Sequence, residues 1–158
     1  MKADRHIATV RAAICNGLAA LFMLSGFAKV ADSQGFITTV QAHGVVSAPT
    51  ATFVASFLPW IEVLVGVGAL WSAANGYGLR RSIFAAALLF GIFSAYAWFL
   101  VASPPTKPAG CGCGFSKAPV EDWSWIAWRN TASTVLLGVV ALTRYRFAEP
   151  ERAAVMAS

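Results

Sequence analysis

Residues 52–74 read TFVASFLPWIEVLVGVGALWSAA, 23 positions with a single charge, Glu62, near the middle. At about 1.5 Å of rise per residue, a helix of that length spans a hydrocarbon core of about 30 Å. The charges on either side repeat the pattern. Seventeen uncharged residues (12–28) separate Arg11 from Lys29, and 25 (82–106) separate Arg81 from Lys107. A fourth apolar stretch follows, with Arg129 near its start. The expected spans are roughly 8–30, 52–74, 82–102 and 124–143, with Trp71, Trp98, Trp123, Trp125 and Tyr145 near their ends. Amphipathic rings prefer that headgroup level. The expected fold is therefore all-α, a polytopic four-helix membrane bundle forming one domain over residues 1–158.

Composition agrees. Of 158 residues, 58% are hydrophobic and 12% charged, and mean hydropathy is +0.63. Soluble domains carry about 25% charged residues, so the surface is suited to lipid. The net charge of +5 comes from cations standing singly or in pairs beside apolar runs. With no basic stripe, nucleic acid is excluded as a partner. The basic start and apolar middle of residues 1–31 resemble a secretory signal. Lys29, however, stands where a small residue would precede cleavage after Ala31, so span one is expected to be retained.

An even number of spans puts both termini on one side. That side collects Lys2, Arg5, Arg11, Arg80, Arg81, Arg144, Arg146 and Arg152, against Lys29, Lys107, Lys117 and Arg129 on the other. The excess of Lys and Arg on cytoplasmic flanks then places both termini in the cytoplasm. It puts loops 31–51 and 103–123 outside, as in a multi-pass protein of a bacterial inner membrane.

The second of those loops differs from the rest of the chain. Pro104, Pro105, Pro108 and Pro119 surround Gly110-Cys111-Gly112-Cys113-Gly114-Phe115. In an extracytoplasmic compartment disulfides form and persist. Two cysteines one residue apart in extended chain have Cα atoms about 6.6 Å apart, at about 3.3 Å per residue. A disulfide prefers about 5.5–6 Å, so pairing requires a bend at Gly112 and a small, strained ring. Strain makes a disulfide exchangeable, whereas a structural staple closes a long loop. Cys111 and Cys113 are therefore candidates for a redox pair. Metal handling competes, because two thiolates suit Cu(I) and His43 in the other loop would supply a third ligand. Cys15, inside span one, reads as a small core residue.

Glu62 falls near the bilayer midplane, where an ionised carboxylate must be paired or protonated. Lys29 and Arg129 are its candidate partners. An ion pair that fixes packing and a redox or proton-relay role both remain open.

Ser25-Gly26-Phe27-Ala28-Lys29, Leu58-Pro59-Trp60-Ile61-Glu62 with Gly66, the CGCGF run and Arg129-Asn130 occur in this order. The ordered set, spanning roughly residues 8–143, resembles the MauE branch of the DoxX-like membrane proteins, named for methylamine utilisation. That family usually reads CGCFG, so the chain swaps the last two residues and keeps both cysteines. It often carries Tyr at the place of His43. The resemblance implies a redox-associated membrane protein that supports maturation of periplasmic methylamine dehydrogenase, a disulfide-rich client, beside a thioredoxin-like partner. It also leaves a quinone open as a cofactor. A copper-delivery protein and a non-catalytic scaffold for the thioredoxin-like partner are the alternatives.

Overall fold

In a computed structural model, residues 2–105, 107, 109–111, 120 and 122–142 are described. Cys113, Lys117 and the C-terminal Arg144, Tyr145, Arg146 and Arg152 lie outside them, so their expected places are not tested. Among the described residues the chain is all-helical: α1 (Lys2–Ala31), α2 (Ser33–Ala42), α3 (Ala48–Asn75), α4 (Leu79–Ala102) and α5 (Trp123–Leu142). Among the described residues, three helices are long and apolar enough to cross a membrane, namely Thr9–Ala31 within α1, Ala48–Asn75 and Leu79–Ala102. The expected stretches 52–74, 82–102 and 124–143 fall within four residues of α3, α4 and α5 at each end, whereas α1 begins six residues before the expected start at 8.

The polarity of the bundle is that of a lipid-solvated protein. Glu62 is 0% exposed, while Leu64, two residues on, is 69% exposed. Ser25, Lys29, Ser72, Ser94 and Asn130 are buried, and Leu24, Phe57, Phe84 and Leu136 face outward. A soluble monomer does not present so much continuous apolar surface to water.

Without a hydrophobic force between helices, packing in lipid depends on close approach and on polar contacts. The buried face of α3 supplies the first, with Ala51, Ala55, Pro59, Glu62, Gly66, Ala69 and Ser72 repeating at helical spacing. α1 runs along it. A Cβ on Gly26 would lie 2.7 Å from the Pro59 carbonyl oxygen, and one on Gly66 2.7 Å from Met23 Cγ and 3.1 Å from the Ala19 carbonyl oxygen. At Gly26 the obstacle is backbone, which cannot move aside; at Gly66 it is the Met23 side chain, with backbone close behind it.

α4 pairs with α5, and polar contacts join them. Ser94 Oγ lies 2.6 Å from Thr131 Oγ1, which also accepts the Trp98 indole N–H at 3.0 Å. Cys15, Leu18, Phe22, Ile83, Ala86 and Leu137 belong to the common core of the two pairs. At the end where α1 begins, Arg11 donates to the Val140 carbonyl of α5 at 3.0 Å.

Loop 31–51 departs from expectation, because half of it is α2. Asp32 caps this helix by accepting the Gly35 N–H at 3.1 Å. Phe36 and Val40, one turn apart, then pack onto Ala51 and Ala55 of α3. α3 extends past the end of α1, and α2 covers that extension.

Packing at Gly26 makes a direct prediction. Gly26→Val should destabilise the detergent-solubilised protein by about 1–3 kcal/mol, as overpacking does, seen as a lower thermal midpoint. Gly17→Ala, where a Cβ meets nothing within 4 Å, should leave the midpoint unchanged. Equal midpoints for both variants would contradict the close crossing.

Candidate functional site

The face of α3 that carries Gly66 also carries Glu62, so the carboxylate enters the α1–α3 seam rather than lipid. One turn separates Ser25 from Lys29 on α1, which brings both to it. Lys29 Nζ pairs with Glu62 Oε1 and donates to Ser25 Oγ at 3.0 Å, while Ser25 Oγ donates to Glu62 Oε2 at 3.0 Å. The hydroxyl thus bridges cation and anion, and each carboxylate oxygen has a donor. Rings close the remaining sides. Lys29 Nζ lies 5.4 Å from the centroid of Phe36 on α2 and 5.7 Å from that of Phe93 on α4, both within cation–π range.

Of the two expected partners, only Lys29 is brought to Glu62. Arg129 is exposed on α5 and makes no ion pair among the described residues. The physical reason is helical phase. Consecutive residues point about 100° apart, so burial of Asn130 turns Arg129 outward.

Three residues along α4 from Phe93, Tyr96 reaches a second cluster. His43, in the turn after α2, is 5% exposed. Its Nδ1 lies 2.8 Å from the Tyr96 hydroxyl and its Nε2 2.9 Å from the Gly110 carbonyl oxygen. A carbonyl has no proton to give, so Nε2 carries the hydrogen and donates. In the neutral ring Nδ1 then accepts from Tyr96. Burial pushes the His43 pKa below its ordinary value, and the Gly110 acceptor opposes that shift. Trp123, at the start of α5, packs edge-on against the imidazole at 5.1 Å. As a metal ligand His43 would have to give up one of these two hydrogen bonds.

Gly110 is the residue before Cys111. The Val120 N–H donates to the Ala109 carbonyl at 2.9 Å, which closes the base of the loop, and Ala109 is itself buried. Cys111 is disulfide-bonded. Cys15 is free and buried, its Sγ 3.9 Å from the Leu79 carbonyl oxygen. Among the described residues no group of three His, Cys, Asp or Glu side chains is placed to hold a metal ion.

Most of the residues expected to matter therefore converge on the α2 end of the bundle. Lys29 and Glu62 lie beneath, His43 and Cys111 lie above, and α4 touches both through Phe93 and Tyr96. Sequence reasoning missed Ser25 and Tyr96. Ser25 carried a signal, since it stands one helical turn from Lys29. Tyr96 carried none, its histidine lying 53 residues away.

The ion pair makes the second prediction. Removing one partner of a buried pair leaves an uncompensated charge and costs about 3–5 kcal/mol. Lys29→Met should therefore lose most folded protein, Lys29→Met/Glu62→Met should recover it, and Arg129→Gln should behave as wild type in detergent thermal melts. A double variant no better than the single one would contradict the coupling.

The family model for methylamine utilisation protein MauE matches residues 7–143. No curated protein and no solved structure matches the chain.

Proposed function

The chain belongs to the MauE family of methylamine utilisation proteins, and from that premise we propose that it exchanges disulfides with a thioredoxin-like protein through Cys111 and Cys113. Its apolar helices make it a multi-pass membrane protein. In the proposed arrangement α5 is the fourth crossing, both termini are cytoplasmic, and the α2 end faces the periplasm across the inner membrane. Maturation of a disulfide-bearing periplasmic client, such as methylamine dehydrogenase, is the proposed purpose.

The observation that carries this reading is the state and setting of Cys111. It is disulfide-bonded, and it follows a stretch held by the Ala109–Val120 bond and the His43–Gly110 bond. It also stands apart from the helical core, where a staple would be expected to act. In the reducing direction a partner thiolate attacks one sulfur of the CGC disulfide. The S–S bond breaks, a mixed disulfide forms, and the displaced thiolate takes up a proton. A second partner thiolate then attacks the mixed disulfide. The partner leaves oxidised, and the motif is left as a dithiol with the two electrons. The oxidising direction is the reverse.

Trapping checks it. With one cysteine changed, an intermediate that meets no resolving thiol should accumulate. Cys111→Ser or Cys113→Ser should yield a reductant-sensitive covalent adduct with a thioredoxin-like protein in cells, and the double variant should yield none. If neither variant traps and the double variant still supports growth on methylamine, the protein is a scaffold. If the purified wild type carries both cysteines as free thiols with stoichiometric Cu(I), it handles copper.

A further inference from the structure

Disulfide exchange as proposed uses only the two sulfurs and gives no role to the buried imidazole tied to Gly110, the residue before Cys111. His43 is nevertheless tied to three separate parts of the chain. Its Nδ1 meets Tyr96 of α4, its Nε2–H meets the Gly110 carbonyl, and its ring packs perpendicular to that of Trp123 of α5. The Tyr96 contact determines what the Gly110 contact can be. With the phenol hydroxyl donating to Nδ1, the single proton of the neutral ring stays on Nε2, directed at Gly110. One residue earlier, the Ala109 carbonyl is held by the Val120 N–H. Two successive carbonyls are thus fixed from different directions immediately before Cys111.

We propose that His43 is a positioning residue for the Cys111 disulfide: its bond to Gly110 holds the chain entering the CGC motif in the conformation of the oxidised state and shifts the thiol–disulfide equilibrium toward that state. The physical basis is conformational entropy. Closing so short a ring requires a particular backbone conformation, and fixing one residue's backbone costs roughly 1–2 kcal/mol. The imidazole and the Ala109–Val120 bond already hold the two residues that lead into Cys111, so forming the disulfide bears less of that cost. Without the imidazole bond, the reduced loop gains freedom that the oxidised loop must surrender. This inference rests on the exchange reading for its biological meaning, but the equilibrium itself can be measured with no partner present.

The measurement is equilibration of the full chain in detergent against graded mixtures of reduced and oxidised glutathione, quenched by alkylation and read by mass. Two glutathione thiols are oxidised to one glutathione disulfide as the Cys111 disulfide takes up two electrons and two protons. His43→Phe, which keeps an aromatic ring and loses both nitrogens, should favour the dithiol by about tenfold relative to wild type. That equals a rise in reduction potential of about 30 mV for a two-electron couple. His43→Gln, which keeps an N–H donor within reach of Gly110, should return most of the shift. Tyr96→Phe, which removes only the hydroxyl that directs the imidazole proton, should shift the equilibrium the same way by less. It carries the test alone if His43→Phe does not fold.

Wild-type equilibria in a folded His43→Phe and in Tyr96→Phe would overturn the proposal and leave His43 as packing. A shift in these variants, together with no mixed disulfide in cells, would uphold the positioning role and remove the exchange reading. Mixed disulfides with no shift would do the opposite.

Discussion

A lysine and a glutamate taken out of water into the α1–α3 seam are the constraint on which the rest of this bundle depends. Neither charge is tolerable alone at that depth, because the desolvation of each ion costs several kcal/mol. The two must therefore stay together, and α1 and α3 must stay close enough for them to meet. Gly26 and Gly66 make that approach possible, and a side chain at either would collide with the opposite helix or its side chains. Ser25 bridges the two charges. The rings of Phe36 and Phe93 then bring α2 and α4 to the same ammonium. Four of the five helices meet around one ion pair.

From that pair the structure runs continuously to the cysteine loop. Phe93 touches the ammonium, and Tyr96, on the same helix, hydrogen-bonds His43. His43 holds Gly110, and Cys111 follows. A reactive loop in this position need not be mobile to be exchangeable, since its base is fixed by backbone and imidazole hydrogen bonds while Cys111 itself is only partly buried. The proposed chemistry therefore depends on a rigid support, with the protein-buried charges beneath and the disulfide above.

The helices were legible because lipid imposes a length. A run of about 20 apolar residues with few charges is a pattern few other environments demand, and the spanning parts of α1, α3 and α4 follow it, while Arg129 interrupts α5. Glu62 was legible for the same reason, as the one acid inside an apolar run. Its partner was only half legible. Lys29 and Arg129 have the same charge and a similar apolar context, and the choice depends on which way α5 is turned, which the burial of Asn130 decides. α2 was missed because it is short and rich in Ser, Gln and Thr. Its two apolar anchors, Phe36 and Val40, have meaning only against Ala51 and Ala55. The ties of His43 lie 53 and 67 residues away in sequence, and a distance of that kind leaves no local pattern.

The most direct test of an exchangeable disulfide at the periplasmic rim is thiol labelling in intact cells with a membrane-impermeant reagent, before and after mild reduction. Exchange chemistry on that side predicts no labelling before reduction. After it, Cys111 and Cys113 should be labelled and the buried Cys15 should not. Labelling of the pair only once the inner membrane is broken would put the loop on the wrong side. Labelling without any reductant would show free thiols where the structure has Cys111 in a disulfide.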